Sequence, residues 1–185
     1  MAFYDRGLRW AWCCDDTELA VTILCDMNAL ARLEHDGESA VGHARTLLSV
    51  AEDSGWARAL GFLHLSRGYA LLGNTAETVR NVAESRATLE KATRDEPGPH
   101  WIVGDTGLSL IEAGVGGALR DAAVTAADPG LARDALEATE RSMSRCQHTI
   151  VRQRSSSAFD WLTVMPALAG WMPRRPWRPR CLPRR

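Results

Sequence analysis

Residues 17–53 read TELAVTILCDMNALARLEHDGESAVGHARTLLSVAED, and their pattern decides the fold class. Leu19, Ala20, Ile23, Met27, Leu30 and Ala31 recur at helical spacing and make one apolar stripe over 17–34. Asp15 or Asp16 stands where a helix cap belongs, and Glu18 complements the helix dipole. His35-Asp36-Gly37 is a turn signal. A second stripe follows over 38–53, through Ala40, Val41, Ala44, Leu47, Leu48 and Ala51. Ser54-Gly55 is read as its stop, with Gly55 able to take the left-handed conformation.

The same phrase repeats downstream. Residues 56–72 are apolar almost all round (Trp56, Ala59, Leu60, Phe62, Leu63, Leu65, Tyr69, Leu71), as suits a helix held between two neighbours. Gly73-Asn74 makes the turn, and Asn74 with Glu77 resembles a capping box. Residues 75–94 predict a more polar helix with Ala76, Val79, Val82, Ala83 and Leu89 inward. After a loop at Asp95–His100, Trp101–Ala126 reads as helical but broken around Gly114-Val115-Gly116-Gly117, since glycine in a helix interior costs about 1 kcal/mol against alanine. Asp128-Pro129 opens a last helix, expected to end near Cys146, with Leu131, Ala135, Leu136, Thr139, Met143 and Cys146 inward. Upstream, residues 2–13 carry Phe3, Leu8, Ala11 and Trp12 as a stripe that Tyr4 and Trp10 extend.

Composition agrees with an all-α chain. Alanine, leucine, glutamate and arginine dominate, whereas a sheet would draw on β-branched and aromatic residues. The net charge of −1 conceals a division: residues 151–185 hold eight arginines and one acid, Asp160, leaving −8 on residues 1–150. An acidic body argues against direct nucleic-acid binding by residues 1–149. The two expected regions are therefore a helical domain over 1–149 and an Arg/Pro/Trp-rich tail over 150–185, read as disordered. That tail can also be read as a basic arm for nucleic acid or anionic lipid, or as the product of a frameshift in a GC-rich gene. The longest apolar run, Ala158–Met172, contains Asp160 and Pro166 and is too short to span a bilayer, so no membrane association is expected. Five cysteines without framework spacing, and no apolar leader in residues 1–14, point to reduced thiols and a cytoplasmic setting.

The turns at His35-Asp36, Gly73-Asn74 and Ala127-Asp128 are separated by 38 and 54 residues, the first close to the ~34 of a tetratricopeptide repeat. Ala40 and Ala44, then Tyr69, Gly73 and Val82, then Ala123, Ala127, Ala132 and Leu136 fall on positions of that repeat, while Thr78 and Ser85 replace its alanines. On these residues the stretch 2–146 resembles the tetratricopeptide-like region that follows the helix-turn-helix domain in many actinobacterial transcriptional regulators. The resemblance implies stacked antiparallel helical hairpins, an α-solenoid, acting as the sensor or interaction part of such a regulator, with the DNA-binding domain absent. The heavy use of arginine over lysine, with Lys91 alone, fits a GC-rich genome of that kind. The other readings are a generic protein-assembly scaffold and a truncated or frameshifted regulator remnant.

No pattern carries catalysis, a metal or a cofactor. The cysteines lack paired CxxC spacing, Cys146-x-His148 is a single half-site, and the remaining histidines are scattered. Gly114–Gly117 is no phosphate loop, because neither a preceding strand nor Gly-Lys-Ser/Thr accompanies it. The expected function is non-enzymatic binding of a protein or peptide. The candidate ligand groove rests on Arg32 and Arg67, which fall on groove-side positions of successive first helices and are placed to hold a carboxylate. The N-terminal stripe is expected to leave apolar surface unpaired and to drive self-association through the first helix.

Overall fold

The computed structural model describes residues 2–98 and 104–157, with side chains described for 3–98 and 107–146. The described residues form α1 (Ala2–Cys13), α2 (Thr17–Leu33), α3 (Gly37–Val50), α4 (Gly55–Leu71), α5 (Thr75–Asp95), α6 (Gly104–Ala126) and α7 (Pro129–Ser157). No strand occurs among them. Residues 1–147 make one compact unit and 148–185 a second, of which only the continuation of α7 is described. The expected disorder of the tail beyond Ser157 falls on residues outside the described ones. Residues 150–157, free of proline, continue α7.

One local device recurs four times. A residue in the left-handed region, Asp15, His35, Gly73 or Ala127, ends a helix, and the next residue, Asp16, Asp36, Asn74 or Asp128, starts another. The starting residue's N–H reaches back to a carbonyl of the helix just ended: Asp16 to Ala11 at 2.8 Å, Asp36 to Ala31 at 2.8 Å, Asn74 to Tyr69 at 2.9 Å and Asp128 to Ala123 at 3.0 Å. Its side chain then accepts from the first turn of the new helix, as Asp16 does from Leu19 and Asp36 from Ser39. Side-chain carboxylates and the Asn74 amide thus satisfy N–H groups that would otherwise be orphaned.

The α3–α4 junction is built differently, and it corrects the expectation for Gly55. α3 stops at Val50, residues 51–53 are not helical, and Ser54 caps α4 by accepting from the Ala57 N–H. Gly55 is the first residue of α4 and has no left-handed φ. Its N–H donates to both carboxylate oxygens of Glu96, each at 3.0 Å.

α4 is the hub, packing on α2, α3, α5 and α6, while α1 packs on α2 and α2 on α3. Buried polar side chains tie helices at fixed points. Asn28 donates to the Ala40 carbonyl at 2.6 Å, Ser85 to the Ala59 carbonyl at 2.8 Å, and Ser109 and Ser142 each donate to the other's carbonyl at 2.8 Å. Ser85 and Thr78, where the repeat pattern has alanine, are fully buried, and each hydroxyl has a carbonyl to donate to. The main core joins Trp56, Leu63, Val82, Leu89, Ile111, Val115 and Leu119.

The break expected at Gly114–Gly117 does not occur; α6 is continuous through it. A side chain at Gly114 would sit 2.8 Å from Leu63, and one at Gly116 would meet the Ala135 carbonyl at 3.2 Å. These glycines let α6 lie close against α4 on one side and α7 on the other. Close packing outweighs their low intrinsic propensity.

Candidate ligand groove

Three helices, α2, α4 and α6, supply the site. Helical spacing puts Thr22, Cys25, Asp26 and Arg32 on one side of α2, and Leu60, Leu63, His64 and Arg67 on one side of α4. α6 contributes Gly107, Leu110, Ile111 and Gly114. Between them lies a hollow of about 520 Å³, lined by Arg67 and His64, by Leu60, Leu63, Leu110 and Ile111, and by Thr22, Cys25 and Asp26 on α2.

Arg32 and Arg67, singled out from the sequence, are brought together. Each feels the Asp121 carboxylate, and the Arg32 guanidinium lowers the proton affinity of Arg67. Burial first, and Arg32 second, bring Arg67 down to about 10. Burial likewise lowers Arg32, with Asp121 opposing. The two differ in their partners. Arg32 donates from Nε to Asn28 Oδ1 at 3.1 Å, and Asn28 is itself fixed on the Ala40 carbonyl. Arg67 makes no hydrogen bond or ion pair among the described residues. Asp121 makes no ion pair with it; its Oδ1 instead accepts from the Arg120 guanidinium at 2.6 and 2.9 Å. Arg67 lies over α6 where Gly117 leaves room, 3.9 Å from the place a side chain there would begin.

His64 and Cys25 line the hollow and were not singled out from the sequence. His64 sits one turn before Arg67 and is buried. Its Nδ1 has no hydrogen-bond partner. Desolvation, then Arg32 and Arg67, push it down to about 3, so the imidazole is neutral at physiological pH. The Cys25 thiol is pushed up to about 12 by burial and by Asp26, which makes it a poor nucleophile. The signal that could have found His64 was its offset of three from Arg67 on a helix buried all round.

A second hollow, about 600 Å³, lies on α5, α6 and α7 among Arg86, Arg94, Arg141 and Arg145. There Glu112 Oε2 accepts from Arg86 at 3.1 Å and from Arg141 at 3.3 Å, so two of its guanidiniums already hold an internal carboxylate. Among the described residues no cluster of three or more His, Cys, Asp or Glu is placed to hold a metal ion, and no helix is long and apolar enough to cross a membrane. Compared with known proteins, the chain matches no protein family, no curated protein and no solved structure.

Proposed function

We propose that this chain is a non-enzymatic, tetratricopeptide-like helical repeat module that binds a protein or peptide partner, as the sensor or interaction part of a transcriptional regulator. The observation that carries the reading is Arg67, a half-buried guanidinium without an internal partner, standing beside Arg32 at the edge of a hollow. A partner's acidic group there gains charge-assisted, two-pronged hydrogen bonds from groups already desolvated. Arg32 and Arg67 stand on α2 and α4, which with α6 are the first members of the pairs α2/α3, α4/α5 and α6/α7, the groove-lining role in a stack of helical hairpins. Fluorescence polarisation against a library of acidic peptides tests this. Binding should fall at least about tenfold in Arg32→Gln and Arg67→Gln; equal binding by both variants and wild type refutes the reading.

A second reading, assembly with further protein through α1, is favoured by a different observation. Phe3, Trp10 and Trp12 are 84%, 70% and 55% exposed, while Leu8 and Ala11 are buried against α2. Exposed aromatics in one helix mark an interface.

A further inference from the structure

We propose that the hollow between α2, α4 and α6 is a small-molecule site for a single carboxylate carried on an apolar body, with Arg67 taking the carboxylate and Leu60, Leu63, Leu110 and Ile111 the hydrocarbon. The inference rests on the reading of this face as the binding face, and goes beyond it by naming a small effector that competes with a partner for Arg67.

The hollow carries a cationic group at one end only. Arg67 and His64 stand together, and the walls running away from them along α4 and α6 are aliphatic. From Arg67 to Leu60 is about 10 Å along the helix axis, roughly the length of an extended eight-carbon chain. The volume of about 520 Å³ lies within the range of small-ligand sites, roughly 300–1,000 Å³. Arg67 is set apart from other arginines of the chain. Arg45 donates to the Tyr69 hydroxyl, Arg80 pairs with Glu77, Arg86 and Arg141 share Glu112, and Arg120 holds Asp121. His64 stands on the same wall, and its buried Nδ1 has no partner, as is also true of His43 Nε2 and Trp56 Nε1 elsewhere in the chain. The neutral imidazole still has one N–H to give.

The walls select against a peptide backbone inside the hollow. Thr22 already donates its hydroxyl to the Glu18 carbonyl, leaving Asp26 as the main polar group on the α2 side. Peptide N–H and C=O groups buried there would go unpaired, whereas a hydrocarbon asks for nothing. Asp26, at the Cys25 end, repels a second negative charge, so a monocarboxylate is preferred over a dicarboxylate.

Titration calorimetry and thermal melting of the full chain with octanoate, 1-octanol, octylamine and suberate test the proposal. Octanoate should bind one to one and raise the melting temperature. Octanol and octylamine should each bind at least about tenfold more weakly, the fold-change expected for a lost charge-assisted hydrogen bond, and suberate should bind more weakly because Asp26 repels its second carboxylate. Arg67→Gln should weaken octanoate about tenfold or more with circular dichroism unchanged. Leu110→Glu, on an exposed wall position 68% accessible, should weaken it without touching Arg67, and decides the matter if Arg67→Gln does not fold. Octanol binding as well as octanoate, absence of octanoate binding, or octanoate affinity unchanged in a folded variant overturns the proposal. Because no partner is present, failure here leaves peptide binding standing, and failure of the peptide library leaves octanoate binding standing.

Discussion

His64 is where the environment of one residue most changes its chemistry. Its folded-state affinity for a proton is depressed from 6.5 to about 3 by burial and by the two nearby guanidiniums. Between those values the unfolded chain binds the proton and the folded chain does not. The stability it contributes is therefore present above about 6.5 and lost as pH falls toward 3, with a slope of up to about 1.4 kcal/mol per pH unit. Replacing His64 with Leu should flatten the wild-type loss over that window, as read by urea unfolding at a series of pH values; parallel losses in both proteins would contradict this. Ligand affinity at the hollow should conversely stay flat from about pH 6 to about 9, because His64 is already neutral and Arg67, at about 10, is still charged. The register that sets Arg32 and Arg67 on successive first helices was legible in the sequence; that Arg67 lines the hollow and Arg32 does not was outside its reach. The unpaired nitrogen of His64 was not legible either, since it depends on α6, some fifty residues later, closing over α4.

At the scale of the element, α6 shows why a glycine run can be misread. Intrinsic propensity counts what glycine costs a free helix and says nothing about how near the neighbouring helices come. The two adjacent glycines should therefore respond oppositely to the same change. At Gly116 a methyl would meet the Ala135 carbonyl at 3.2 Å and the Thr139 backbone nitrogen at 3.4 Å, atoms that cannot swing aside. Gly116→Ala should destabilise by about 1–3 kcal/mol, the usual cost of overpacking. At Gly117 the nearest atom is an Arg67 guanidinium nitrogen at 3.9 Å, and Gly117→Ala should stabilise by up to about 1 kcal/mol through helix propensity. Chemical denaturation of both variants checks the pair, and a shift of the same sign in both would defeat the explanation. The turns were far easier to read, because Asp36, Asn74 and Asp128 do their capping within a few residues of themselves. Gly55 was misassigned for the opposite reason: its partner, Glu96, lies 41 residues away.

For the molecule as a whole, the all-helical character was legible from periodicity, since stripes at 3.6-residue spacing need no knowledge of what they pack against. Which side of α1 stays uncovered was less so: Leu8 and Ala11 are buried, while Trp12, read as part of the inward stripe, is exposed. Sedimentation velocity should show association rising with concentration, and Trp10→Glu, at a position 70% exposed, should suppress it with little change in unfolding free energy. Association unaffected by that variant would place the contact elsewhere. The Glu96 clamp on Gly55 has a consequence for the order in which the chain assembles. α4 and α5 are joined at one end by the Gly73-Asn74 turn, and the clamp ties their other ends together. The pair is thus a closed ring of short sequence separation, able to form before either flanking segment arrives, because loop closure within it is entropically cheap. Native-state hydrogen exchange should find the slowest amides in α4 and α5 and earlier opening in α1, and Glu96→Gln should speed exchange in the first turn of α4 before it affects any other helix.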